Sequence, residues 1–219
     1  MTAIRTEDRS ILNMPWATED DWLTWHLTRD QVKLCEKVAA ERQEAARTYR
    51  HGHGYNPVCE AESKRTHFVG LPAPLVLSKY LGGMKFPAPL NSFRLYGSVG
   101  LATKGPIFTV TREPAKREFD LRYRHGENRE SPYVLAHFYP GDNRVTLLGW
   151  RYGFEIQAGG DKFEDRGPDG RTTCWYLPPT RLHPIEVLRD IVWTLGEDTD
   201  GPFYPPGLVP PPPGFGDRL

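Results

Sequence analysis

Lys104, Arg112, Lys116, Arg117, Arg122 and Arg124 crowd into one short stretch of this chain, interleaved with Phe108, Phe119 and Tyr123. Cations of this kind suit contact with phosphates, and rings between them suit base stacking. Glu113, Glu118 and Asp120 stand in the same stretch, so it reads equally as a strand pair with a solvated, charge-balanced face. Carboxylates that could hold a divalent cation are scattered. Glu60 and Glu62 share a face only in an extended segment, and Asp120 and Glu155 stand apart from them. His51 and His53 flank Gly52 and can ligate a metal, but no third ligand follows at a recognisable spacing. Cys35, Cys59 and Cys174 are too few and too dispersed for a disulfide framework or a zinc site, and read as thiols of a reducing compartment. Phosphate-binding glycine loops, defensible Ser-His-Asp orders and internal repeats are all missing from the sequence.

The elements that must position these residues belong to a chain of 219 residues, enough for one substantial core with extended arms. Gly and Pro number 21 each, which implies long loops around that core. The 28 basic and 28 acidic side chains cancel, so uniform coating of nucleic acid is disfavoured and a local basic patch is the remaining electrostatic route to it. The sequence holds no apolar run of membrane-spanning length and no signal-peptide core, so the expectation is a cytoplasmic protein without a membrane partner.

Residues 1–27 form a charged arm carrying Trp16, Trp22 and Trp25, rings that need either the protein's own body or a partner to cover them. Thr28-Arg29-Asp30-Gln31 has the form of a capping box opening a helix over 29–49, with Val32, Cys35, Val38 and Ala39 on one face. Pro74 suits the first turn of a short helix whose buried side is Leu75, Val76, Leu77, Tyr80 and Leu81, closed at Gly82-Gly83. Strands are expected over 93–99, 107–111, 119–123, 133–138 and 144–150. Pro140-Gly141-Asp142-Asn143 joins the last two as a hairpin. Phe154-Glu155-Ile156 is read as continuing the sheet, 159–170 as a polar loop, 174–177 as a closing strand and 184–195 as an amphipathic helix. The tail 196–219 holds seven prolines and five glycines and builds no core; its Pro210–Pro213 run favours polyproline II.

The order of these elements, with Val38-Ala39-Ala40-Glu41-Arg42, His67-Phe68-Val69-Gly70 before the 75–82 helix, Tyr133-Val134-Leu135 and Leu148-Gly149-Trp150, resembles the small phage-type proteins of the PD-(D/E)XK nuclease superfamily. The resemblance covers roughly residues 28–195 and implies an α/β fold. Its centre would be a mixed β-sheet flanked by helices (restriction-endonuclease-like), with the N-terminal arm and the Pro-rich tail outside it.

What the resemblance implies for chemistry is a degenerate centre. The positions where the family carries its glutamate, its aspartate and the acidic member of its (D/E)xK triplet fall at Pro74, Ser98 and Ala102, leaving Lys104. Magnesium needs oxygen ligands, typically carboxylates with waters and substrate phosphate, and these residues cannot supply that charge. The implied protein binds nucleic acid or a nucleoprotein or protein assembly without cleaving, through Lys104, Arg112, Lys116, Arg117, Arg122 and Arg124, and needs no cofactor. Two alternatives stay open. One is an active Mg-dependent endonuclease with carboxylates migrated to Glu60, Glu62, Asp120 or Glu155. The other is a structural subunit of a phage particle or other large complex, docked through residues 1–27 and 196–219, in a host cytoplasm or a virion.

Overall fold

The computed structural model describes residues 14–50, 65, 68–82, 98–101, 105–112, 120–167 and 170–195. His51, His53, Glu60, Glu62, Ala102, Lys104, Lys116, Arg117 and the 196–219 tail lie outside the described residues. Eight strands and four helices are described: β1 (Leu23–His26), α1 (Arg29–Arg50), α2 (Pro72–Leu81), β2 (Ser98–Leu101), β3 (Gly105–Arg112), β4 (Leu121–Arg124), β5 (Pro132–Tyr139), β6 (Arg144–Tyr152), α3 (Gly153–Gly159), β7 (Asp161–Gly167), β8 (Gly170–Leu177) and α4 (Ile185–Leu195).

The protein is mixed α/β, with a mixed sheet flanked by helices. Five strands run in the order β1-β6-β5-β3-β2, and a second sheet has the order β4-β8-β7. Only β3 and β5 pair in parallel; every other described pair is antiparallel. Alternation along the central strands sorts side chains into two cores. Ile107, Val134, Ala136, Phe138, Val145 and Leu147 meet α1, α2 and α4 through Cys35, Val38, Leu75, Leu77 and Leu188. Tyr133, Leu135 and Leu148 face the other way and meet Leu121, Tyr123, Trp175 and Leu177 of the second sheet together with Ile156 of α3. Helices thus cover one face of the large sheet, and the smaller sheet with α3 covers the other.

Several local expectations hold for the reasons that prompted them. Gln31 Oε1 accepts the Thr28 amide at 2.8 Å while Thr28 Oγ1 accepts the Gln31 amide at 3.3 Å, closing the capping box of α1. α2 begins two residues earlier than Pro74, with Pro72 at its first position and Gly82 at its C-cap with φ 69°. First-turn amides have no intrahelical acceptor, so both prolines fit there without losing a bond. Asn143 takes φ 52° in the turn that joins β5 to β6.

Three expectations are corrected. Phe154-Glu155-Ile156 does not extend the sheet but forms α3, because Glu155 Oε2 accepts the Tyr152 amide at 3.0 Å and caps a helix there. The stretch read as a polar loop contains β7, an edge strand that pairs with β8 from Asp161↔Tyr176 to Gly167↔Gly170. Edge strands keep charged residues on both faces, so their apolar alternation is faint. Within residues 1–27, Leu23–His26 pair with Leu147–Arg144 of β6 as β1, and Trp25 packs against the helical-side core while Trp22 packs against the other. The protein's own body covers those two rings.

The α1 face of the core also makes a chemical statement. Cys35 is fully buried, and burial, with Glu36 adding to it and Arg42 opposing, pushes its thiol up to about 12. Native protein treated with a maleimide near pH 8 is therefore expected to leave the Cys35 peptide unmodified by mass spectrometry, with full labelling in denaturant. Rapid native labelling would contradict the burial.

Candidate functional site

Of the positions singled out by the resemblance, Pro74 lies on α2 and Ser98 on β2, and α2 packs against β2 and β3. Pro74 is buried in the first turn of α2, and Ser98 opens β2 opposite Phe108 of β3. Leu101 of β2 pairs with Gly105 of β3. A proline ring in a buried first turn offers no oxygen ligand, and a serine hydroxyl carries no charge to hold magnesium. Among the described residues, no group of three His, Cys, Asp or Glu side chains comes close enough to hold a metal ion.

Glu155 belongs to a different arrangement. Its Oε1 receives Arg151 Nη1 at 2.7 Å and lies 3.5 Å from His183 Nε2, a contact that is ionic only when the imidazole is protonated. Its Oε2 caps α3. Burial by itself would raise the Glu155 carboxyl, but His183, the Arg151 charge and the Tyr152 amide outweigh it and hold the group below the usual carboxylate range. Arg151 donates its Nε to the Arg181 carbonyl at 3.0 Å and lays its guanidinium 4.5 Å from the Trp16 ring centre. Trp16 stacks on His183 with the rings 11° from parallel, and His183 Nδ1 stands 3.4 Å from the Pro15 carbonyl. Both oxygens of Glu155 are engaged by this chain's own donors. The cluster ties the start of the described chain to the segment before α4, and the grouping was not legible in sequence because Pro15 and His183 stand 168 positions apart.

The same segment explains the Gly149-Trp150 step. Leu135 pairs with Gly149 and Ala136 with Leu147, leaving Leu148 as the extra residue of a β-bulge. Beyond the bulge, Trp150 and His183 exchange amide and carbonyl in two 3.0 Å bonds, and Trp150 Nε1 donates to the Pro184 carbonyl at 3.1 Å. Gly149 permits that approach, since a Cβ there would lie 2.6 Å from the His183 carbonyl oxygen.

The basic residues divide between the sheets. Arg112 ends β3 in register with His137 of β5, and burial followed by the Arg112 charge lowers the His137 pKa. Asp120 stands near Arg112 and Asp161: burial raises its carboxyl, Arg112 opposes and Asp161 adds to the rise. Arg122 and Arg124 lie on β4, where Leu121 and Tyr123 point into the core and the arginines point away. Glu127 sits near both guanidiniums and accepts the Arg124 amide at 3.1 Å; burial raises its carboxyl, with that bond and the two arginines opposing. In the β4–β8–β7 register, Arg122, Tyr176 and Asp161 form one row across the outer face, and Arg124, Cys174 and Phe163 form the next. Phe163 is 56% exposed, and its ring meets Tyr176 edge to face at 5.6 Å. Phe163 was missed with β7 itself, its signal being an aromatic set among charges at Lys162-Phe163-Glu164, whereas Tyr176 lies in the strand expected over 174–177.

Among the described residues no helix is long and apolar enough to cross a membrane. No protein-family model, curated protein or solved structure matches the chain.

Proposed function

We propose that this chain is a nuclease-fold protein that binds nucleic acid, alone or within a nucleoprotein assembly, without metal-dependent cleavage. One observation supports the reading: α2 packs against β2 and β3, with Pro74 buried in its first turn and Ser98 opening β2, and neither residue offers the carboxylate that the resemblance would expect there. A nuclease-like frame without acidic side chains at those two positions forgoes ligands of magnesium. Arg122 and Arg124, presented together from β4, supply cations for phosphate.

Incubation of the purified chain with supercoiled plasmid and with single-stranded DNA, each in Mg²⁺ or Mn²⁺, is expected to yield no nicked or shortened product. The same protein should retard DNA in a manner that weakens steeply with salt, because phosphate contacts release counterions. Cleavage in either metal would overturn the inactive reading, and binding indifferent to salt would overturn the phosphate-contact reading.

A further inference from the structure

We infer that the outer face of the β4–β8–β7 sheet is a stacking platform for single-stranded nucleic acid, with the phosphate backbone running along the β4 side. This rests on the nucleic-acid reading above and assigns it a surface and a strandedness.

Paired residues directly opposite each other in an antiparallel sheet project to the same side, so the register fixes the pattern of this face. One row reads Arg124, Cys174, Phe163 and the next reads Arg122, Tyr176, Asp161. Neighbouring strands lie about 4.8 Å apart and alternate residues on one face about 6.8 Å apart along a strand. The two arginines therefore form a cationic column on β4, and the exposed Phe163 ring lies roughly 10 Å away across β8. Tyr176 stands between the columns, half-buried, in a T-shaped contact with the Phe163 ring.

Charge gives the platform a direction. Asp161 occupies the β7 end of the Arg122 row, so the β7 edge repels phosphate while the β4 edge attracts it. A strand of nucleotides with its phosphates over Arg122 and Arg124 would reach its bases inward toward Tyr176 and Phe163. Bases in a duplex are already stacked on each other and leave no face for Phe163, which is why the occupant is single-stranded. Glu127, near both guanidiniums, moderates their charge. Phe163 is 56% exposed between Lys162 and Glu164, and it shares a row with Arg124 across the fully buried Cys174 of β8, so ring and guanidinium lie on one face a strand apart.

The test is fluorescence anisotropy with labelled oligo-dT and a labelled duplex of the same length, using the full chain. Wild type should bind oligo-dT more tightly than the duplex. Phe163→Ala should weaken oligo-dT binding about 5- to 150-fold, the range for losing one stacked base. Arg124→Glu should weaken it further and reduce the salt slope, and Glu127→Gln should tighten it. Lys33→Glu, on the exposed side of α1 across the molecule, should change it less than twofold. If oligo-dT binds yet Phe163→Ala and Arg124→Glu match Lys33→Glu, the platform is wrong while nucleic-acid binding stands. Preference for the duplex overturns the single-strand assignment. Absence of binding to either probe removes the functional reading and the platform together.

Discussion

Glu155→Ala should lower the stability of this protein by about 3–5 kcal/mol, the usual range when one partner of a buried ion pair is removed. Arg151 and His183 keep 12% and 2% of their side-chain surface exposed, so solvent cannot replace the lost carboxylate. The Tyr152 amide loses its acceptor in the same step, and α3 loses its cap. Glu155→Gln keeps the shape and one of the two acceptors but removes the charge, and should fall between wild type and alanine in chemical denaturation.

Acid gives the same result by titration. The Glu155 carboxyl is held below its usual value of 4.5, so in that range the unfolded chain binds more protons than the folded one. Stability from this group is therefore complete above about pH 4.5 and declines as pH falls through the depressed folded value. Denaturation midpoints measured from pH 6 downward should drop more for wild type than for Glu155→Gln, whose amide does not titrate. Parallel profiles for the two proteins would show that the carboxylate is not the linked group.

Gly149→Ala should be nearly as damaging, at about 2–4 kcal/mol for strained backbone plus overpacking. Gly149 takes φ 152°, and an added Cβ would meet the His183 carbonyl oxygen at 2.6 Å and Leu182 Cβ at 2.8 Å. The nearer obstacle is backbone, which cannot rotate away. The paired bonds between Trp150 and His183 must lengthen or the bulge must open. A thermal melt should shift down by roughly 5–15 °C at this chain length. Trimming Leu182 to alanine in the Gly149→Ala background should recover little, because the His183 carbonyl and the Cβ of residue 182 both remain. A melt unchanged by Gly149→Ala would mean that the 182–183 segment does not sit on the bulge.

Elements whose signals are local were legible in the sequence. Thr28 and Gln31 announce α1, Gly82 ends α2, Pro140-Gly141-Asp142-Asn143 joins β5 to β6, and Ile185, Leu188 and Ile191 mark α4. Elements set by distant partners were not. β1 is four residues long and becomes a strand because β6 lies beside it, and β7 is a charged edge whose only apolar marker is Phe163. α3 was hidden because Phe-Glu-Ile alternates like a strand, and only the contact of Glu155 with the Tyr152 amide makes it helical. The candidate site divides in the same way. Pro74 and Ser98 could be placed from the order of elements, whereas Phe163 and Tyr176 emerge only once the β7–β8 register is known.

The pairing of β1 with β6 also sets the order of events during synthesis. Thr24 and Thr146, whose hydroxyls meet at 3.3 Å, are 122 positions apart. Closing so long a loop adds only modest entropy cost, but it cannot begin until β6 has left the ribosome. Trp22 and Trp25 emerge first and wait through most of translation for the surfaces that cover them. A nascent chain stalled before residue 144 would expose those rings to holdase chaperones, and release past residue 152 would withdraw them.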